Sequence, residues 1–436
     1  MKRVAIIGAG AAGCFCAAQL RAMAPELKVT VFEAGSKPLA KVAITGGGRC
    51  NLTNDFEGIR SLADAYPRGE RLMKRALRAF SNEDTIAWFT AQGVPCVLQP
   101  DHCWFPQSQD AMDIVRALLR AMKGCDVQLN TKVTRIAGDT LGPDGPRYDI
   151  SVIPSNPSVI PSNPSVIPSN PSVIPSNPSV IPSEARGSYT SYDYVVVTTG
   201  GAPKGLPFLE GLGLELIPPV PSLFTFTVKD ASLNALMGLV VDATVSLAGT
   251  PFKADGPLLI TDWGLSGPAT LKLSAYAARH LAENGYKGTV GINWLDANEN
   301  EVRARLQETS ARNPQKQLVN TPLLQQRLWE HLIGRAGLRP DIRWAELGSK
   351  GLNRLTAVLT NDTYPVSGKS KFREEFVTAG GVALSNIDIN TLESKRYPGL
   401  FFAGEILDID AITGGFNLQA AWSTGYVCAV NLIKTI

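Results

Sequence analysis

The sequence predicts an α/β fold in which a mainly parallel sheet with helices is split along the chain by an inserted β-rich and helical part. Three observations indicate this. Over residues 1–204, short apolar strands alternate with helical patterns, which is typical of βαβ units. Residues 205–268 are β-rich, and residues 269–350 are mostly helical. Residues 351–436 then return to apolar strands and one long helix, as in the first part.

The elements of the first part can be placed by their hydrophobic periodicity. Continuous or alternating apolar runs predict strands, and apolar residues at helical spacing predict helices. The predicted strands cover residues 3–7, 28–32, 127–136 and 194–198, and the predicted helices cover residues 11–23, 70–80, 82–92 and 110–122.

The later elements suggest that the insertion contains two subdomains. β-Rich runs at 223–228 and 240–247 indicate an antiparallel barrel or sandwich. From residue 269 to about residue 337 the pattern is helical, with a strand near 290–294. At 436 residues the chain also exceeds the ~250–300 residues at which a single core stops growing. We therefore expect four segments: 1–204 and 351–436 as the halves of one domain, with 205–268 and 269–350 inserted between them.

One low-complexity segment interrupts the first part. Residues 151–183 read SVIPSNP four times and then SVIPS. Each unit offers only Val and Ile as apolar residues, too little to bury against a neighbour as a solenoid repeat must. Strand-like residues lie on both sides, so we expect an expanded hairpin loop; a binding arm is the alternative.

Composition excludes several functional classes. The chain has 42 Lys+Arg and 39 Asp+Glu, a net charge of +3, which indicates neither a nucleic-acid nor a membrane partner. Seven cysteines without a C-x-x-C pair, and only three histidines, argue against a structural zinc or His-based metal site, so we expect none. There is no signal-peptide pattern and no apolar stretch of ~20 residues, so we expect a cytoplasmic protein.

The first strand leads directly into a glycine-rich turn. Its sequence is GAGAAG at residues 8–13, followed by a helix, with Glu33 at the end of the second strand. This context predicts a Rossmann-type dinucleotide site. In such a site the first glycine allows a tight turn, the second lets a pyrophosphate approach the backbone, and the third lets the helix pack closely on the strand. The acidic residue binds a ribose hydroxyl. The turn alone does not separate FAD from NAD. The predicted contacts here are Gly8, Gly10, Ala11, Ala12, Gly13 and Glu33.

Three further motifs favour FAD. Residues 41–54 read KVAITGGGRCNLTN, where bare backbone and Arg49 can approach a flat, phosphate-bearing ligand. Residues 194–201 form a strand that ends in two glycines, and residues 399–425 form a strand, an acidic loop and a T-G-G entry to a helix. The helix start can face the flavin, and the acidic loop can line the site. The predicted contacts from these motifs are Lys41, Gly47, Gly48, Arg49, Cys50, Asn51, Gly200, Gly201 and Asp410.

Together these motifs resemble a known family. GAGAAG at 8–13, GGGRCNLTN at 46–54, GLSGP at 264–268, VTAGGV at 377–382 and FAGEILDIDAITGGFNLQAAWSTG at 402–425 are similar to those of the bacterial two-dinucleotide-fold flavoproteins described as aminoacetone-oxidase-like or bile-acid Δ4,6-reductase-like. The resemblance implies non-covalent FAD in a split Rossmann domain, with an inserted β-barrel and a helical subdomain. It further implies adenine contact by the backbone of Val133. It places the flavin end at Gly404, Glu405, Gly414, Gly415, Asn417, Leu418 and Gln419.

The expected activity is that of an FAD-dependent oxidoreductase that transfers hydride through flavin N5 to or from a small-molecule substrate. No second G-x-G-x-x-G occurs, so NAD(P)H is expected as a transient donor, or the substrate itself supplies the electrons. A flavin-dependent tRNA-modifying enzyme and a non-enzymatic flavin redox sensor are the alternatives. No catalytic residue is assigned. Cys50 and His102 are weak candidates, and the basic stripe of Arg68, Arg71, Lys74, Arg75 and Arg78 is interpreted as a solvated face.

Overall fold

A five-stranded parallel sheet forms the centre of the larger part of the computed structural model, which describes residues 1–139, 145–155, 188–201, 205–369 and 377–436. The predicted α/β fold is confirmed. Both neighbours of the first strand run parallel to it, and its residues are almost fully buried, as its continuous apolar sequence requires. The strands in spatial order are Leu400–Phe402, Tyr194–Val197, Arg3–Ile7, Lys28–Phe32 and Asp126–Gln128.

Two long helices pack along each other beside this sheet. The first, Ala11–Met23, contacts the last, Phe416–Lys434, through small residues. A Cβ atom on Gly425 would lie 2.8 Å from the carbonyl oxygen of Ala12, so only glycine allows this approach. Further helices of this part are the single turn Thr45–Gly48 and the helices Leu62–Ala65, Glu70–Ala79, Asn82–Ala91 and Ala111–Ala121.

The inserted part contains a closed six-stranded antiparallel barrel. Closure leaves no unpaired edge, and it requires strands that are far apart in the chain. The barrel therefore extends beyond the β-rich segment 205–268 and takes two of its strands from residues after 287. In order around the barrel the strands are Phe226–Val228, Gly264–Ser266, Lys253–Thr261, Val240–Leu247, Gly288–Asn293 and Asp362–Lys369.

Helices fill the connections between the barrel strands. Gln326–Arg335 is tied to the barrel by Arg335, whose guanidinium donates to the buried carboxylate of Asp362 at 3.0 and 2.7 Å. The remaining helices of the inserted part are Ala231–Asn234, Gly267–Tyr276, Ala278–Glu283, Glu299–Arg312 and Gly348–Asn361. None of the helices in the described ranges is long and apolar enough to cross a lipid bilayer.

A two-stranded ribbon joins the two parts. Leu216–Ser222 pairs antiparallel with Val377–Val382, so the chain enters and leaves the insertion side by side. A further small sheet, with strands Thr53–Asn54, Cys103–Pro106 and Cys96–Leu98, lies beside the last helix.

The single strand predicted over residues 127–136 is two strands. Asn130 has φ 51°, and the chain turns there. Asp126–Gln128 belongs to the parallel sheet, whereas Thr131–Asp139 starts a separate antiparallel sheet with Arg147–Pro154 and Ser188–Tyr192. Apolar periodicity does not reveal a change of sheet when no glycine or proline marks the turn.

The heptad repeat lies largely outside the described residues, which resume at 188 after 155. The strands on either side of it pair antiparallel, with Val152 opposite Ser188. The first repeat residues, 151–154, belong to the strand Arg147–Pro154.

Replacing residues 156–187 by an Asn-Gly turn is expected to keep the protein folded and to leave its expected binding of FAD unchanged. Each halving of loop length removes only about 0.6 kcal/mol of closure cost, so stability should stay unchanged or rise by at most about 2 kcal/mol. Thermal unfolding and the flavin-to-protein absorbance ratio measure both properties. Loss of bound flavin in the shortened protein would show that the repeat packs on the body.

Candidate functional site

A cleft of about 520 Å³ opens where the parallel strands end. The residues that follow four of these strands contribute to its wall: Gly8, Glu33, Thr198 and Gly404. Carboxyl ends of parallel strands are where α/β sheets bind their ligands. The inserted part contributes Leu271, and the ribbon contributes Val377. The cleft therefore has walls from both parts of the molecule.

The glycine-rich turn has the geometry that the sequence predicts. Gly8 has φ 108°, and a Cβ atom there would lie 2.7 Å from the carbonyl oxygen of Thr198. A Cβ atom on Gly13 would lie 2.0 Å from the carbonyl oxygen of Gly8, so this glycine lets the helix pack directly on the turn. The Thr198 hydroxyl donates to the same Gly8 carbonyl at 2.8 Å.

Gly10 faces the opposite way, into open space. A Cβ atom there would meet no atom within 4 Å, and Gly10, Ala11 and Ala12 all line the cleft. Gly10 is the N-cap of the first helix, and no side chain caps this end. The first amides of the helix are thus directed to the cleft and can bind an anion.

Glu33 lines the cleft beside the glycine-rich turn, at the end that we call the near end. Its carboxylate accepts the amide of Ala9 at 2.9 Å and that of Gly35 at 2.7 Å, one on each oxygen. These two bonds fix the carboxylate beside the glycine-rich turn, where the remaining lone pairs can accept ribose hydroxyls.

Glu33→Ala is expected to weaken FAD binding about 10- to 100-fold. The substitution removes hydrogen bonds to a charged acceptor, worth about 1.5–3 kcal/mol, and 1.4 kcal/mol corresponds to about tenfold in Kd. Titration of the apoprotein with FAD, followed by flavin fluorescence, measures this. The exposed Glu26 provides a matched control, and Glu26→Ala should bind FAD as the wild type does. Equal affinities for all three proteins would remove Glu33 from the cofactor site.

The last helix brings its N-terminus to the far end of the cleft. Asn417 and Leu418, in its first turn, line the wall. Gly414 and Gly415 precede them, with φ 123° and 90°. A Cβ atom on Gly415 would lie 2.6 Å from the Thr53 carbonyl oxygen, so Gly415 packs on the strand behind it rather than on the cleft.

Residues 50–54 hold this helix start from behind. The side-chain oxygen of Asn51 accepts the Gly415 amide at 3.2 Å, and Asn54 donates to the carbonyl of Gly414 at 3.0 Å. Gln419 is fully buried and accepts the hydroxyl protons of Thr53 and Thr85. Asn51 and Gln419 thus position the wall and are not among the residues that line the cleft.

The loop between residues 41 and 50 covers one side. Lys41, Thr45 and Gly46 line the cleft. Gly46, Gly47 and Gly48 all have positive φ, and Cβ atoms on the latter two would meet nothing within 4 Å. Three consecutive residues with positive φ favour glycine at these positions, since other residues rarely adopt this conformation.

Two predicted residues of the same loop have other surroundings. Arg49 is exposed, and its guanidinium carbon lies 4.6 Å above the ring of Phe105. Cys50 is fully buried, and burial raises the pKa of its thiol to about 12. A neutral, enclosed thiol is not a nucleophile, so Cys50 is a packing residue in this structure.

The second glycine pair and the G-E turn meet next to Lys41. Gly200, Gly404 and Glu405 line the wall, and the Glu405 carboxylate lies 3.7 Å from the Lys41 ammonium. Glu405 also accepts the Thr378 amide at 2.7 Å. Gly201 faces away, since a Cβ atom there would lie 2.3 Å from Thr378.

The acidic loop is engaged by two arginines. Asp410 is fully buried, is paired with Arg68 and accepts the hydroxyl proton of Ser222 at 2.8 Å. Asp408 accepts a hydrogen bond from Arg279 at 2.7 Å, yet burial outweighs this partner and raises its pKa. The loop thus links both parts of the molecule, and the Asp410 carboxylate does not reach the cleft.

Two other predicted residues lie outside the cleft wall. Val133 is buried in the strand Thr131–Asp139. His102 is exposed and bonds to Asp55 at 3.0 Å, and this carboxylate raises the His102 pKa.

The geometry fits a dinucleotide such as FAD. The uncapped helix end and the open face of Gly10 match a pyrophosphate, and the fixed Glu33 carboxylate matches a ribose. The cleft volume of about 520 Å³ lies within the ~300–1,000 Å³ range of cofactor and ligand sites.

Comparison with known proteins also identifies a Rossmann domain around the glycine-rich turn. Residues 2–142 match the family model for the HI0933-like protein Rossmann domain, and residues 220–377 match that for the HI0933-like protein barrel and H2TH domain. The chain is 29% identical to a ribosomal RNA dihydrouridine synthase of Escherichia coli, over 98% of this chain and 97% of that protein. It is 26% identical to a 3-dehydro-bile acid Δ(4,6)-reductase of Clostridium scindens, over 98% of both chains.

Among solved structures, a 3-ketosteroid Δ1-dehydrogenase of Sterolibacterium denitrificans is 12% identical, with a TM-score of 0.48 and full coverage of both chains. The predicted enzyme class, a flavin-dependent oxidoreductase, is confirmed by the full-length relatives. The predicted family is confirmed as well, because its two domain models cover the glycine-rich turn and the barrel in the order observed. The chain belongs to the HI0933-like protein family.

Proposed function

We propose that this protein uses non-covalently bound FAD to reduce a carbon–carbon double bond conjugated to a carbonyl group, and that its substrate is a uracil base of ribosomal RNA. Two full-length relatives, each 29% identical, are named ribosomal RNA dihydrouridine synthases. The bile-acid relative is named for the reduction of double bonds near a 3-oxo group. The two names share one chemistry, since the uracil 5,6 double bond is conjugated to a carbonyl.

The reaction adds a hydride to the carbon β to the carbonyl and a proton to the α carbon. When bound and reduced, FAD would supply the hydride, and solvent would supply the proton. The chain's own residues position the cofactor: the first helix amides would hold its pyrophosphate, Glu33 its ribose, and the first turn of the last helix its far end.

The observation that carries the proposal is that residues of both the parallel-sheet part and the inserted part line the cleft. Leu223 at the ribbon end and Leu271 of the inserted part line the same cleft as the glycine-rich turn, and Val377 and Ile409 line it as well. These apolar side chains can exclude water from a flat ring held in the cleft. A substrate ring therefore has a place between the two parts of the molecule.

The electron donor is proposed to be NAD(P)H, acting at the same cleft. The chain contains one G-x-G-x-x-G turn, at residues 8–13, and FAD would occupy it. A nicotinamide would then bind transiently and leave before the substrate enters.

The proposal is tested with the purified FAD-loaded protein, NADPH or NADH, and ribosomal RNA transcripts that carry no modification. Mass spectrometry of the digested RNA should show uridine that has gained two hydrogens. A parallel reaction contains a 3-oxo-Δ4 steroid, whose enone absorbance reports its reduction.

The possible outcomes test the proposed substrate and the proposed type of reaction independently. Reduced uridine supports the whole proposal. Reduction of the steroid alone would support the proposed chemistry, the reduction of a conjugated double bond, and would exclude RNA as the substrate. If NAD(P)H bleaches the flavin and neither compound is reduced, the proposed reaction is wrong.

A further inference from the structure

The helix Glu70–Ala79 presents one basic face. Arg71, Lys74, Arg75 and Arg78 are exposed, and their i, i+3, i+4, i+7 spacing places them on one side. The opposite side is buried through Leu72, Met73 and Ala76. The sequence pattern alone is as typical of a solvated helix face as of an anion-binding face. The groups around these cations distinguish the two.

The described residues contain no ion-pair partner within 4.0 Å of these four side chains. Arg75 donates a hydrogen bond to the neutral side-chain amide of Asn390. The Asp388 carboxylate is close enough for the Arg75 charge to help lower the Asp388 pKa, although Arg75 is the smallest of the causes. By contrast, Arg303 and Arg312 on another exposed helix pair with Glu299 and Glu308. Like charges at this spacing repel one another, and the repulsion is relieved when an anion binds.

The helix that carries this basic face begins beside the cleft. Gly69, which begins the helix, packs so closely on Ile409 that a Cβ atom would lie 2.2 Å from its Cγ2 atom. Ile409 lines the cleft, and Arg68 is paired with the adjacent Asp410. The helix also packs along the last helix, whose first turn forms the far wall. The face thus has a defined position relative to the substrate site.

We infer that this face binds the phosphodiester backbone of an RNA whose target base enters the cleft; the inference rests on the proposed function. Residues 71–78 extend for about 10 Å at 1.5 Å per residue, so the four cations can contact neighbouring phosphates of one strand. The partner is identified by charge complementarity. The expectation that the chain has no nucleic-acid partner rests on its net charge of +3, and a net charge does not report a local cluster.

The test compares two double variants of the FAD-loaded protein. Lys74→Ala/Arg78→Ala removes two charges from the face. Lys28→Ala/Lys123→Ala removes two exposed charges at the edge of the parallel sheet opposite the cleft: Lys28 is the first residue of one strand, and Lys123 lies just before another. The probe is a fluorescein-labelled, single-stranded 20-nucleotide oligouridine, and Kd is measured by anisotropy between about 50 and 200 mM salt.

We expect the Lys74/Arg78 variant to bind at least about tenfold more weakly at low salt, with a slope of log K against log salt smaller by about 1.4. The control variant should match the wild type, and NADPH should bleach the flavin equally in all three. Equal slopes for both variants, or no oligouridine binding by the wild type at 50 mM salt, would overturn the inference. The proposed reaction is judged separately, by the reduced uridine formed in wild-type reactions.

Discussion

Asp410→Ala is expected to lower the free energy of unfolding by about 3–5 kcal/mol. The Asp410 side chain is fully buried, and Arg68, its partner, has only 14% of its side chain exposed. Removing the carboxylate leaves a buried guanidinium without its counter-charge, which costs far more than the net worth of the ion pair. Urea denaturation followed by tryptophan fluorescence measures the change.

Two further variants separate this explanation from a simple loss of packing. Ser222→Ala removes one hydrogen bond to the same carboxylate and should cost about 1 kcal/mol. The double variant Arg68→Met/Asp410→Leu removes both charges and should recover most of the loss, since apolar pairs often replace buried ion pairs without cost. A double variant as unstable as Asp410→Ala would contradict the electrostatic explanation.

The parallel-sheet domain and the near end of the site could be predicted from the sequence because the signals are local. The turn at residues 8–13 lies between a strand and a helix, and the geometry of Gly8 and Gly13 is as the motif requires. Glu33 follows the next strand directly, so its distance from the turn is set by the pairing of adjacent strands.

The far end of the site could be predicted only in outline. The motif around residue 415 indicates a helix start near a ligand, but not which side of each residue faces the cleft. That depends on contacts between Gly415 and Thr53, which are distant in the chain. Gln419 is likewise held by Thr53 and Thr85, and Asp410 by Arg68, none of which a local pattern reveals.

The full extent of the barrel could not be predicted, for a related reason. The strand Asp362–Lys369 pairs with Phe226–Val228 to close the barrel, across more than a hundred intervening residues. The helices between them dominate the local pattern, so the segment 269–350 is predicted as a separate helical unit. Barrel closure is a property of strand pairing and leaves no mark in hydrophobic periodicity.

Substituting alanine for two glycines of the same turn is expected to have opposite effects. Gly13→Ala should destabilise the protein by about 3 kcal/mol, because its Cβ atom would lie 2.0 Å from a backbone oxygen that cannot move without disturbing the turn. Gly10→Ala should leave the stability of the apoprotein unchanged to within about 1 kcal/mol, since Gly10 has φ −83° and its Cβ atom would meet nothing within 4 Å. The new methyl group fills the space through which a pyrophosphate approaches, so FAD affinity should fall roughly tenfold or more.

Urea denaturation of the apoproteins and FAD titration measure the two properties independently. Gly334→Ala provides the control: its Cβ atom also meets nothing within 4 Å, and Gly334 lies in a helix of the inserted part. This variant should bind FAD normally and be as stable as the wild type or slightly more stable, because alanine favours helices. If Gly10→Ala binds FAD as tightly as Gly334→Ala does, the pyrophosphate does not approach the turn at residue 10. The cleft would then hold its ligand by other contacts, since only a group close to that backbone could be displaced by a single methyl group.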